Sequence, residues 1–199
     1  MLAKPDFVMK PVAILALFLT CAVSATAQEN KCMVKLAQLK QPSELYGFRI
    51  GMTLEQVKTI VPSLQPGHVD DLGFATTSFS PDFNPQIDKT TYAGVRTVSL
   101  EFLDGKLFTL WVGFNNAYKW KTLEVFVPGM SSALGLPSGA WSASSLKPVV
   151  ECDDFDITAS MIAGAPSIRI NDKTARNVWE QRRAEKEEKR SEEETGEPD

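Results

Sequence analysis

Hydrophobic and polar positions change period several times along this chain, and each change predicts an element. In "IGMTLEQVKTIVP" (50–62), Leu54, Val57 and Val61 share one helical face. Thr53 is placed to cap the free amides, Gln56 three residues on completes a capping box, and Met52 can staple onto Val57. Pro62 stops the helix. "LYGFRIG" ahead of it reads as an extended lead-in, and "GFATTSFS" (73–80) after it as a strand. A proline-rich loop, "SPDFNPQIDKTTYAG", then precedes the clearest hairpin, "VRTVSLEF" and "LFTLWVGF" around "LDGK", where Asp104 and Gly105 suit a two-residue turn.

Simple pairing through that turn puts Phe102 opposite Leu107, Leu100 opposite Thr109 and Val98 opposite Trp111. Strict alternation then places Phe108, Leu110, Val112 and Phe114 together on the second face, against Glu101, Ser99, Thr97 and Val95. A sheet with one wet face alternates more cleanly than this. Those four residues are therefore the candidate partner face, covered by the chain itself or by another molecule.

Helical spacing returns in "YKWKTLEVFVPGMSSALGLP", where Leu123, Phe126, Val127, Met130, Ala133 and Leu134 keep their period through Pro128 and Gly129. One kinked helix ending near Gly135 and Pro137 is favoured, with a break at Pro128 as the alternative. Three further strands follow in "LKPVVEC", "FDITASMI" and "SIRIN", joined by the turns "DD" and "AGAP". The expected fold is α+β: helix then three strands, twice, in one antiparallel sheet of about six strands with both helices on one face. From Thr174 the chain turns highly charged and predicts a solvated helix or disordered tail, with Arg183 and Glu187, and Glu185 and Lys189, at mutually supporting spacing. Val178 and Trp179 are placed to dock its start.

The first 27 residues hold Lys4 and Lys10, the run "PVAILALFLTCAV" and then "SATA". Together they match a secretory signal peptide cut after Ala27. The organisation is then 1–27 signal peptide, 28–173 one α+β domain and 174–199 tail. Export makes the compartment periplasmic or extracellular, and leaves Cys32 and Cys152 as the mature cysteines. Their pairing is the first expectation, and a pair of free thiols the alternative. A bond between them would be worth about 4 to 5 kcal/mol in the chain-entropy model. Thr20 before Cys21 argues against a lipid-attachment site, and nothing later is apolar for long enough to span a membrane. Lys and Arg number 21 against 25 Asp and Glu, so the basic footprint of a nucleic-acid binder is absent.

Candidate chemistry is sparse. The single histidine, His68, stands near Asp70 and Asp71 and could serve as an acid-base group, although a solvated loop also explains it. Ser144 and Lys147 have the spacing of a lysine-assisted serine nucleophile without the rest of that machinery. Asp153, Asp154 and Asp156 lack the glycine and spaced glutamate of a calcium loop. Neither a phosphate-cradling glycine loop nor a dinucleotide fingerprint occurs. No catalytic, metal or cofactor residues are assigned. Tyr118 and Trp120 alternate with Lys119 and Lys121, either as a contact patch or as the packed lead-in to the second helix.

"GFRIGMTLEQV", through Gly51, Met52, Thr53, Glu55, Gln56 and Val57, resembles the helix start of small secreted proteins related to the SmpA/OmlA outer-membrane assembly lipoproteins and the beta-lactamase inhibitory proteins. The resemblance implies an envelope protein that works by contact with another protein, and supplies no binding residues. The expectation is thus an exported, non-enzymatic interaction or accessory protein. A small-ligand carrier, with a pocket near Trp111 or beneath the loop 81–94, is the second reading, and a hydrolase the third.

Overall fold

A computed structural model describes residues 32–137, 139–142 and 146–195. The signal-peptide segment, Cys21 and Ser144 lie outside the described residues. Two short 3-10 turns, Leu36–Gln38 and Ser43–Leu45, lead to α1 (Leu54–Ile60), β1 (Phe74–Phe79), β2 (Val95–Leu103) and β3 (Lys106–Phe114). Then come α2 (Leu123–Leu134), β4 (Val149–Glu151), β5 (Phe155–Ile162), β6 (Ala165–Asp172) and α3 (Lys173–Thr195). The six strands form one antiparallel sheet in the order β1-β2-β3-β6-β5-β4. Helix then three strands occurs twice, as the pattern predicts, and the halves meet where β3 pairs with β6.

Local chemistry explains the helix boundaries. At α1 the Thr53 Oγ1 accepts from the Gln56 amide at 3.3 Å while the Gln56 side chain accepts from the Thr53 amide at 2.8 Å. The chain just ahead is pinned to β3, since the Gly51 amide donates to Leu107 O and the Leu107 amide to Met52 O. α2 runs unbroken through Pro128 and closes at Gly135, which adopts a left-handed φ of 72°. Val57 of α1 and Phe126, Met130 and Leu134 of α2 join one core with Leu100, Leu110, Ile157 and Ile168 of the sheet.

The β2–β3 hairpin differs from simple pairing, and the difference redraws both sheet faces. The turn is as expected, with Asp104 and Gly105 at φ 50° and 76°, and Phe102 pairs with Leu107. The register then slips: Glu101 pairs with Thr109, Leu100 with Leu110 and Val98 with Val112, leaving Phe108 as an extra, bulged residue. Leu100 therefore does not face Thr109, nor Val98 face Trp111. The bulge lets Phe108 turn to the second face while Leu110, Val112 and Phe114 keep the core side.

α3 covers one end of that second face. Asp172 accepts from the Ala175 amide to start the helix, and Trp179 lies 5.4 Å from the Phe74 ring, which meets Phe108 edge-on at 6.2 Å. Val178, expected to dock alongside Trp179, is instead exposed. Arg182 donates to both Asp104 oxygens, at 2.9 and 2.8 Å, and to Leu72 O at 2.8 Å, and Lys186 pairs with Asp71. Beneath the helix, the buried Thr109 donates to Asn171, which donates to Asp156.

Other chain segments lie beside both sheet edges. The segment 65–70 runs along β1, with Thr77 Oγ1 donating to Gln65 O at 2.6 Å and a Cβ on Gly67 standing only 2.0 Å from Thr76 O. Trp141 bridges to Val150 beside β4, and Cys32 bridges to Cys152. The two cysteines form a disulfide with a sequence separation of 120. No helix among the described residues is long and apolar enough to cross a membrane.

Candidate interaction face

The predicted partner face is not a face. Phe108 is 3 % exposed, Leu110 1 %, Val112 and Phe114 0 %, and the bulge sends Phe108 to the opposite side from the other three. Leu110, Val112 and Phe114 pack in the main core, with Phe114 stacked on Tyr118 at 3.8 Å and edge-on to Phe126 at 5.6 Å. The apolar surplus read as a docking surface is the core itself.

The aromatic-lysine stretch resolves the same way. Tyr118 is buried, and burial pushes its phenol far above its usual range, with the negative field of Glu44 adding to it. Trp120 packs on α2 so closely that a Cβ on Gly129 would stand 2.5 Å from the ring. Lys119 lies over Trp120 at 4.3 Å and pairs with Glu44. Burial is the largest single influence and raises the Glu44 pKa, but hydrogen bonds from Lys119, a backbone amide and Ser43, with the Lys119 charge, together outweigh it and hold the carboxyl below its ordinary value.

The structure does not join the histidine candidate to its acid. His68 is exposed and no hydrogen bond joins it to Asp70 among the described residues. The Asp70 Oδ1 instead accepts from the Leu72 and Phe74 amides at 2.9 and 2.8 Å, shaping the turn into β1. The Ser144–Lys147 pair falls outside the described residues at Ser144. The aspartates have separate tasks: Asp153 pairs with Lys35 at 3.2 Å, Asp154 accepts from the Leu36 amide at 3.1 Å, and Asp156 accepts from Asn171 at 2.6 Å. Among the described residues no His, Cys, Asp and Glu group could hold a metal.

The pocket expected beneath the loop 81–94 is filled. Beneath the loop 81–94, Ile87 and Tyr92 are buried, and Tyr92 packs on Tyr46 at 5.0 Å and Phe79 at 5.4 Å. A half-open cleft of about 550 Å³ lies between the segment 36–50 and the core. Its floor of Leu110, Leu134 and Ile170 is only 1 to 2 % exposed, so it is a groove over a packed interior.

Among the described residues, the half of the second face that α3 does not reach has no element over it. Five side chains there stand in register across five strands: Ser78, Ser99, Trp111, Arg169 and Thr158. Val149 continues the row on β4. Trp111 is half-buried and Arg169 exposed. A Cβ on Gly113 would sit 2.6 Å from the Trp111 Cη2 and 2.9 Å from Cζ2, so the indole lies against the strand backbone at Gly113. At the end away from α3, the Arg96 guanidinium donates to Ile162 O at 3.1 Å. Alternation alone assigned Trp111 to the packed side; only recognition of the bulge could have found it in the sequence.

A scan against protein-family models, a search of curated proteins and a search of solved structures each find no match to this chain.

Proposed function

We propose that this is an exported, non-enzymatic interaction or accessory protein of the cell envelope, and that it works through the uncovered half of its second sheet face. One observation carries the reading: among the described residues no element covers this half of the face, and Trp111 lies in its middle against Gly113. Sheets bury a face against another layer wherever that face is apolar. Here the polar rows need no cover, while a half-exposed indole among them is a contact feature. Export is supported by the bonded cysteine pair, which persists in oxidising compartments, and by the signal-like first 27 residues. The motif around Met52 and Thr53 resembles that of envelope contact proteins and supports the same setting.

The test is a photoreactive amino acid at Ser99, beside Trp111, in the protein expressed with its signal segment in its own cell type. An adduct at Ser99 that disappears when Trp111 is replaced by Ala, and fails to form from a probe at Thr59 on α1, is the expected result. Equal adducts from both positions, or none from Ser99, would remove this face as the working surface.

A further inference from the structure

α1 buries Val57 and α2 buries Leu123, Phe126, Met130 and Leu134, but α3 buries none of its described side chains. From Arg183 to Glu193 every residue of it is exposed. Its start is pinned: the Lys173 amide donates to Asp154 O at 3.0 Å, the Lys173 Nζ to Cys152 O at 2.9 Å, and the Ala175 amide to Asp172 at 3.0 Å. Further along, Arg176 stands 3.9 Å from Asp156, too far for a hydrogen bond. The hold there is half-buried Trp179 against Phe74, with Arg182 on Asp104 and Lys186 on Asp71. Side chains in those two pairs are 38 to 65 % exposed, and exposed pairs hold weakly.

What α3 covers also favours lifting. With the helix seated, the Trp179 indole N–H is buried without a hydrogen-bond partner, and water supplies one once the helix rises. Thr109, Asn171 and Asp156 bond to one another in a chain and keep those bonds when uncovered. The apolar surface released from the sheet is chiefly Phe74 and Phe108. An element with so little burial belongs to the low-stability end of a fold. Its seat is continuous with the open half of the face. Glu101, Thr109, Asn171 and Asp156 form the row next to Ser99, Trp111, Arg169 and Thr158.

We infer that α3 is an autoinhibitory strap: it swings off the sheet about Lys173 while the six strands stay paired, and while seated it competes with the partner for Phe74 and Phe108. This rests on the reading of the open half as the working surface. The partner's contact then extends from the Trp111 row onto the vacated seat.

The experiment measures the motion and the competition separately. Hydrogen exchange in the nitrogen-15-labelled mature protein follows the buried Trp179 indole N–H against the Leu110 and Ile168 amides of the core strands. The indole should be far less protected than those amides, through an opening that urea below the unfolding transition does not promote. Arg182→Ala should speed its exchange roughly two- to fivefold, the range that exposed ion pairs supply. Leu110 and Ile168 that stay much better protected than the indole show that the variant is folded. Protection of the indole equal to that of the core amides, or an exchange rate indifferent to Arg182→Ala, overturns the strap. In the cell, Arg182→Ala should raise the Ser99 adduct by a similar factor, because it raises the fraction of protein with its seat vacant. An adduct that stays level or falls overturns the competition and leaves the working face standing. No Ser99 adduct from either protein removes the face and the strap together, whatever the exchange shows.

Discussion

At Gly129 the missing side chain is as informative as any present one, because the space where its Cβ would stand belongs to Trp120. Glycine inside a helix ordinarily costs about 1 kcal/mol relative to alanine. Replacing it here should nevertheless destabilise the protein, since a Cβ 2.5 Å from the indole forces overpacking worth about 1 to 3 kcal/mol. Gly129→Ala is therefore expected to lower the urea midpoint by the equivalent of about 1 kcal/mol, with a changed Trp120 environment. A rise in the midpoint would show that the indole moves aside freely. This position also separates two similar strings in the sequence. "GMT" at Gly51 opens a capped helix, and "GMS" at Gly129 lies within one because a tryptophan presses on it. Helical periodicity distinguishes the two, but a contact from a residue outside the helix has no periodic signature.

Among the elements, the helices and strands were legible and the faces of β3 were not. Capping box, turn residues and apolar spacing are local, and the chain obeys them at Thr53, Asp104 and Gly135. The bulge at Phe108 is set by a distant element, because α3 brings Trp179 toward Phe74 and gives that ring somewhere to go. α3 itself lacks an apolar stripe, so its docking rests on one tryptophan and an ion-pair clasp. Hydrogen bonds from Arg182 hold the Asp104 carboxyl below its ordinary 3.8, and those from Lys186 do the same for Asp71. Folded-state pKa values below the ordinary one mean the clasp contributes fully above about pH 4 and is lost as pH falls through and below that value. Acidification from pH 6 to 3, or salt near 1 M, should thus loosen α3, read as a red shift of the Trp179 emission isolated against Trp179→Phe. Arg182→Ala should give the loosened spectrum already at pH 6. An emission indifferent to pH, salt and Arg182 would mean that packing alone seats the helix.

For the whole molecule, the disulfide is the longest-range covalent constraint among the described residues. It joins the segment before the first turn to the residue after β4, and both cysteines are 2 % exposed. With a sequence separation of 120 between its ends, it should stabilise by about 4 to 5 kcal/mol in the chain-entropy model. The paired Cys32→Ser and Cys152→Ser variant is expected to show that loss in urea unfolding, and the purified mature protein to weigh two hydrogens less than its reduced form. Two titratable thiols in unreduced, denatured protein would contradict the bond.

The place of β6 in the sheet has a temporal meaning. It is the last strand in chain order, yet it sits between β3 and β5 and joins the two halves. A ribosome delivers the first three strands long before the one that completes them, so the sheet cannot close while most of the chain is being made. Delayed closure keeps the polypeptide without its complete sheet for longer. In this protein the order of strands makes closing the sheet one of the last events of synthesis.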